Sequence, residues 1–123
     1  MIRIEKTADD RIDLQLNGKI DADEMRTALE DLLALTEGME NGRMFYTITD
    51  FQMPDLPALA VEFRYLPRMF SLISRLDKVA VLSDQNWIRK AAVIEGKLIP
   101  GLEIRDFDLS DPKAAEDWLS EIG

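Results

Sequence analysis

The chain contains no cysteine and no histidine. Their absence removes disulfides, thiolate zinc sites, cysteine nucleophiles, Ser-His-Asp triads and imidazole general bases together. Glycine is scarce, and none of Gly18, Gly38, Gly42, Gly96, Gly101 or Gly123 sits in a Walker loop or a G-x-G-x-x-G fingerprint, so nucleotide binding by those routes is excluded. Long apolar runs are missing as well. The longest spans a few residues, far short of the roughly 20 needed to cross a bilayer. Met1 to Glu5 open an alternating pattern in place of the apolar core of a signal peptide, so a cytoplasmic setting is expected.

Positive charge is also in deficit. Fifteen bases stand against 24 acids, a net of −9, which argues against nucleic acid as a partner. The imbalance is local. Residues 21–41 hold seven acids against Arg26, a net of −6, and residues 98–123 hold seven against Arg105 and Lys113, a net of −5. Residues 61–97 reverse the sign, with seven bases and four acids, a net of +3. Solvated helix faces account for this pattern; a docking surface for an acidic partner is the sharper alternative.

What is present suits one packed domain over residues 1–123, with 46% apolar and 32% charged residues in 14.0 kDa. Ile2 and Ile4 alternate with Arg3 and Glu5, and Ile12, Leu14 and Leu16 with Asp13, Gln15 and Asn17. These read as two strands paired in an antiparallel hairpin across Asp9-Asp10. Asp21 and Glu24 resemble a capping box before Met25, Leu29, Leu32 and Leu33 at helical spacing, and Gly38 marks the stop. Arg43 to Thr49 reads as a strand rich in aromatic and β-branched residues.

Met53 to Leu76 is the longest helical segment, with Pro54 and Pro57 in its first turn and Pro67 as an interior kink. Arg64, Arg68, Ser71 and Arg75 form a solvent stripe at spacings of four, three and four. Leu56, Leu59, Phe63, Leu66, Phe70 and Ile73 form the stripe expected to face the core, and Val61, Tyr65 and Leu72 flank it. This apolar arc is wider than one sheet face requires. Val79 to Leu82 is a strand covered on both faces. Ser83 reads as the cap of a helix from Asp84 to about Leu98, ended by Pro100-Gly101. Leu102 and Ile104 then alternate with Glu103 and Arg105 up to Phe107. Asp111 and Pro112 open a last helix with core residues Ala115, Trp118, Leu119 and Ile122.

The expected order is therefore β-β-α-β-α-β-α-β-α. It predicts a five-stranded, mostly parallel sheet near residues 2–6, 11–18, 43–49, 77–82 and 102–107, with right-handed crossovers. The outer strands keep a polar face, so four helices should lie mainly on one side in a β-α superhelix.

Lys78-Val79-Ala80-Val81-Leu82-Ser83-Asp84 followed by Trp87, then Glu103-Ile104-Arg105-Asp106-Phe107, then Ala114-Ala115-Glu116-Asp117-Trp118-Leu119, carry a family likeness. On these residues the chain resembles the SpoIIAA-like, STAS-related small bacterial proteins, a fold also compared with the CRAL-TRIO lipid-binding fold. The resemblance implies a regulatory module. Related anti-sigma factor antagonists act through a serine that a kinase phosphorylates, at the start of the helix after the third strand. The matching stretch here, Asp50 to Ala58, has no serine or threonine, so the phospho-switch is not expected to carry over. Asp55 reads as an ordinary acid at a helix N-terminus.

Three functions compete. The first is a non-enzymatic regulatory or protein-interaction module, with a homodimer among its expected partners. Its surface would be Val61, Tyr65 and Leu72 rimmed by Arg64, Arg68 and Arg75, the arginines suiting carboxylate or phosphate. The second is a carrier or sensor of a small apolar or lipid ligand, in a pocket lined by Phe63, Phe70 and Trp87. Scattered methionines (Met25, Met39, Met44, Met53 and Met69) suit such a pocket. The third is a carboxylate-dependent hydrolase built on Asp50, Asp84 and Asp106 or Asp108 at strand ends, where two or three acids can hold Mg²⁺. Turn and cap roles explain those aspartates more simply, as core packing explains Trp87 and Trp118. No catalytic residue, cofactor or metal site is therefore expected.

Overall fold

The computed structural model describes residues 1–97 and 99–121. Ile2–Ala8 (β1) and Arg11–Asn17 (β2) form the hairpin, with Ile4 opposite Leu14 and Ile2 opposite Leu16. Ala22–Leu35 (α1) then crosses to Gly42–Thr49 (β3), Leu56–Ile73 (α2) to Leu76–Ser83 (β4), and Asn86–Lys97 (α3) to Glu103–Asp108 (β5). Pro112–Leu119 (α4) closes the chain. The sheet order is β1-β2-β3-β4-β5, parallel throughout except for the β1-β2 pair. This is the mixed five-stranded architecture that the alternation of periods predicted. Leu98, the expected end of the third helix, and Ile122, expected in the last helix's core, lie outside the described residues.

Because each parallel step moves the same way, right-handed crossovers place α1, α2 and α3 on one face. On that face Ile12, Leu14, Leu16, Met44, Ile48, Val79 and Val81 pack with Leu32 and Leu33 of α1, Leu72 of α2 and Ile88 of α3. The opposite face carries a smaller core, in which Ala80 and Leu82 meet Ala115, Trp118 and Leu119 of α4. Val79–Leu82 thus runs apolar because both its faces are covered. The strand order never reverses, so the crevice of a doubly wound sheet, where strand order switches, does not form.

Helix starts follow side-chain capping. Asp21 accepts from the Glu24 N–H at 2.8 Å, Asp55 from Ala58 at 3.1 Å and Asp111 from Ala114 at 3.2 Å. Three helix boundaries differ from expectation. The long helix ends at Ile73, and Leu76, expected as its last residue, opens β4. The long helix begins at Leu56, not Met53, because a residue preceding proline disfavours the helical region and Asp55 supplies the cap. The third helix begins at Asn86, since Ser83 ends β4 buried and its Oγ accepts from the Gln85 N–H at 3.2 Å in a turn. Pro67 is accommodated inside α2 on an exposed side, where water can satisfy the carbonyl it leaves without a donor.

Part of the uneven charge of the sequence is paired across the fold. Basic residues of the middle segment reach the acidic flanks: Arg68 pairs with Glu30 at 2.9 Å, and Arg89 with Asp106 and Asp108 at 3.4 and 3.6 Å. Lys78, buried, donates to the carbonyls of Trp118 and Glu121 at 3.3 and 3.1 Å, and Arg43 donates to that of Leu119 at 2.7 Å. Two strand cations thereby satisfy carbonyls at the C-terminal end of α4, where a positive charge also complements the helix dipole. No helix among the described residues is long and apolar enough to cross a membrane.

Candidate functional site

The geometry of α2 decides what the chain offers to a partner. One flank is latched to α1. Tyr65 Oη donates to Glu30 Oε1 at 2.6 Å, Arg68 reaches both Glu30 oxygens at 2.9 and 3.2 Å, and Arg75 reaches Thr36 Oγ1 at 3.1 Å. The Arg68 and Tyr65 hydrogen bonds hold the Glu30 carboxyl below the usual carboxylate range. Ala58, Val61 and Leu72 are buried beneath the helix.

This rotates α2 relative to the expected orientation. Val61 and Leu72, expected on a free surface, are core residues, with Leu72 only 2% exposed. Tyr65 is half-buried. The stripe assigned to the core is largely turned outward instead: Leu56, Phe63 and Phe70 are 81%, 69% and 67% exposed. The cause is lateral. Glu30 and the C-terminal turn of α1 engage Tyr65, Arg68 and Arg75, so the α1-facing side is fixed by polar partners and not by bulk apolar content. Arg64 is exposed, whereas Arg68 and Arg75 serve the helix-helix latch.

Beyond its latched flank, α2 rides higher above the sheet than α1 or α3 does. A cavity of about 500 Å³ opens beneath it, walled by Leu14 and Leu16 of β2, Met44 of β3, Met69 and Ile73 of α2, and Ile104 of β5. Tyr46, Gln52 and Glu62 contribute its polar groups. A second hollow of about 330 Å³ lies under α3, lined by Ile88, Ala92 and Trp87; Trp87 is 55% exposed, so it is a rim residue and not the core residue its helical spacing suggested. The two share Leu16, Tyr46, Phe51, Val79 and Ile104, so they adjoin over the middle strands. Of the expected pocket residues, Trp87 lines the second hollow, held edge-on to Phe51 with ring centroids 6.0 Å apart and with Nε1 donating to Gln85 Oε1 at 2.9 Å. Phe63 and Phe70 line neither hollow, because both point away from the sheet.

The sequence reading missed Tyr46, Gln52 and Glu62 as site residues. A signal existed for one: Tyr46 is the polar side chain in a strand face otherwise made of Met44 and Ile48. Burial pushes its phenol up to about 12, and the Glu62 carboxylate adds to that push. A larger depression of about 770 Å³ at the far end of the strands is ringed by Arg43, Asp77, Lys78, Glu103 and Glu121. It is more polar, and its Arg43 and Lys78 are already spent on α4.

The strand-end aspartates do not converge. Asp84 Oδ2 accepts from the Asp50 N–H at 3.2 Å, while Asp106 and Asp108 face Arg89. Ser110 donates to Asp108 through its backbone and its hydroxyl, holding that carboxyl below its usual range. Among the described residues no three acidic side chains group as a metal ion would require.

Comparison with known proteins places this geometry. A family model described as SpoIIAA-like matches residues 11–120. No curated protein sequence matches the chain. Among solved structures, an uncharacterised protein of the DUF3478 family with a SpoIIAA-like fold, from Shewanella loihica PV-4, superposes with a TM-score of 0.74 at 21% identity, over 97% of this chain and 92% of its own. The anti-sigma factor antagonist SpoIIAA in its unphosphorylated form superposes with a TM-score of 0.52 at 10% identity, over 98% of this chain and all of its own. At these identities the superpositions establish the fold.

Proposed function

Since the chain belongs to the SpoIIAA-like family, we propose that it acts as a non-catalytic binding module of regulatory kind, and that it takes a small apolar ligand between α2 and the sheet. The observation that carries this reading is the 500 Å³ cavity, lined chiefly by Leu, Ile, Met and Val with a few polar groups. Its size and lining match those of small-molecule sites, which usually span about 300–1,000 Å³. Support for a non-catalytic role comes from the strand-end acids: Asp84, Asp106 and Asp108 are each engaged by a backbone amide or an arginine. Asp55 works as the cap of α2 in the segment where antagonists carry their phosphoacceptor.

Native mass spectrometry of the purified chain, with titration of the neutral dye N-phenyl-1-naphthylamine, tests the reading. Saturable binding of one dye per chain is expected, and Met69→Trp, which fills the cavity from α2, should abolish it while the circular dichroism stays native. A folded protein that retains no ligand and binds no dye refutes the proposal, as does dye binding that Met69→Trp leaves intact.

A specific observation also favours a second reading, contact with another protein or a second copy. Leu56, Phe63 and Phe70 form one exposed apolar stripe, a kind of surface that usually marks an interaction site when contiguous. A Phe63→Glu, Phe70→Glu variant should fold and sediment as a monomer, whereas the wild type self-associates. A wild type that is monomeric at all concentrations rejects the homodimer.

A further inference from the structure

The cavity beneath α2 is polar at one place. Its described lining includes a single charged side chain, Glu62, together with Tyr46 and Gln52. Tyr46 stands mid-strand between Leu14 and Val81, with its ring among aliphatic neighbours. Its hydroxyl makes no hydrogen bond to any described residue, and Glu62 is the ionisable neighbour that acts on it. Glu62 itself is exposed, so it marks the mouth of the cavity while Tyr46 lies inside. Tyr46 is half-buried, and its hydroxyl opens onto the cavity, where a ligand's polar head can take the place of water.

The sign of the charge is informative. No arginine or lysine lines the cavity. Of the α2 cations, Arg68 and Arg75 are latched to α1, and Arg64 is exposed and does not line the cavity. A carboxylate or phosphate head would face Glu62 with no counter-ion, in a protein of net charge −9. A protonated amine would find a carboxylate acceptor and a phenol oxygen acceptor together. We infer that the cavity takes a small apolar amine, with its hydrocarbon body against the aliphatic strand residues and its ammonium between Tyr46 Oη and the Glu62 carboxylate. The inference rests on the ligand-binding reading and narrows it to one class of head group. Burial and Glu62 push the Tyr46 phenol up, so it stays neutral and offers an oxygen lone pair to the ammonium.

The test is isothermal titration of the full chain with decylamine, decanol and decanoic acid, each below its micelle concentration at neutral pH. The amine should bind about three- to fivefold more tightly than the alcohol, the factor an exposed ion pair supplies, and the acid should bind most weakly. Glu62→Gln should bring the amine to the alcohol's affinity and leave the alcohol unchanged. Asp9→Asn, an exposed acid in the hairpin turn, controls for net charge and should preserve the ratio. Tyr46→Phe should weaken amine and alcohol together by several-fold without loss of stability. Acid binding as tight as amine binding overturns the inference, as does an amine advantage that survives Glu62→Gln or falls equally in Asp9→Asn. Unchanged affinities in Tyr46→Phe overturn the placement of the head. If none of the three compounds binds the wild type, the ligand-binding reading itself fails, a result distinct from binding in the wrong order.

Discussion

Trp118→Ala should cost about 3–5 kcal/mol of stability, the range for removing a large aromatic ring from a packed core. Trp118 is 4% exposed on α4 and joins Ala80, Leu82, Ala115 and Leu119 in the core of the second sheet face. Its ring lies 5.9 Å from that of Phe107, centroid to centroid, with Lys78 Nζ 5.1 Å from its centre. Truncation removes both contacts, but Lys78 keeps its bonds to the Trp118 and Glu121 carbonyls because these are backbone groups. The ammonium is therefore not stranded, and no separate penalty for a buried unpaired charge is added. Marginal domains hold about 5–15 kcal/mol in all, so the loss is a large share. For a domain of this size it corresponds to a fall in Tm of roughly 10–20 °C. Urea denaturation followed by far-ultraviolet circular dichroism measures it, and amide exchange across 112–119 shows whether α4 detaches first. Trp118→Phe should recover much of the loss. A loss below about 1 kcal/mol with an unchanged Tm would refute the reasoning, since it would mean that α4 does not cover the sheet.

Gly42→Ala should destabilise by about 1–3 kcal/mol in the same assay. A Cβ there would lie 2.6 Å from Met39 Sδ, which can move, and 2.9 Å from the Arg75 carbonyl, which accepts the Gly42 N–H at 2.8 Å and cannot; an unchanged urea midpoint counts against this close approach. Docking of α4 should weaken in acid through Glu116, whose carboxyl is held below its usual range chiefly by the Arg11 hydrogen bond, at 2.7 Å from Nη2 to Oε1. A folded-state pKa below the unfolded one gives stability that is present above about pH 4.3 and lost as pH falls through the lowered value. The gap in urea midpoint between wild type and Glu116→Gln should therefore shrink in that window, modestly because the side chain is partly exposed; a gap of constant size from neutral to acid pH refutes it.

Much of the fold was written in local signals. Strict alternation in Ile2–Ile4 and Ile12–Leu16 marked the hairpin, and β-branched and aromatic residues marked β3. Asp21 and Asp111 announced helix starts because a cap is a contact across three residues. The two-sided cover of β4 followed from its unbroken apolar run. Partners distant in sequence were not legible. The basic middle segment looked like a free surface, yet Arg68 meets Glu30, Arg89 meets Asp106 and Asp108, and Lys78 meets the end of α4. Charge blocks report which segments attract one another without naming which side chains meet.

The orientation of α2 shows the same physics at the site. By apolar content alone, the stripe of Leu56, Leu59, Phe63, Leu66, Phe70 and Ile73 outweighs that of Ala58, Val61, Tyr65 and Leu72 and should face the sheet. The smaller stripe is buried because the polar side chains beside it have partners. Glu30 draws Tyr65 and Arg68 to α1, and Thr36 takes Arg75. These contacts span 35 to 39 residues, beyond the reach of any helical period. Once α2 leans on α1, its bulky side chains are carried outward and the helix rests on the sheet through little more than Ala58, Val61 and Leu72. Small contact residues bring a helix close only where they lie over the strands. Here the lateral latch shifts them toward α1, and Met69 and Ile73 are left spanning a gap instead of filling it. The rotation that defeats the periodic reading is thus what creates the cavity, and Glu30 ties the candidate ligand site to the α1 latch that props it open.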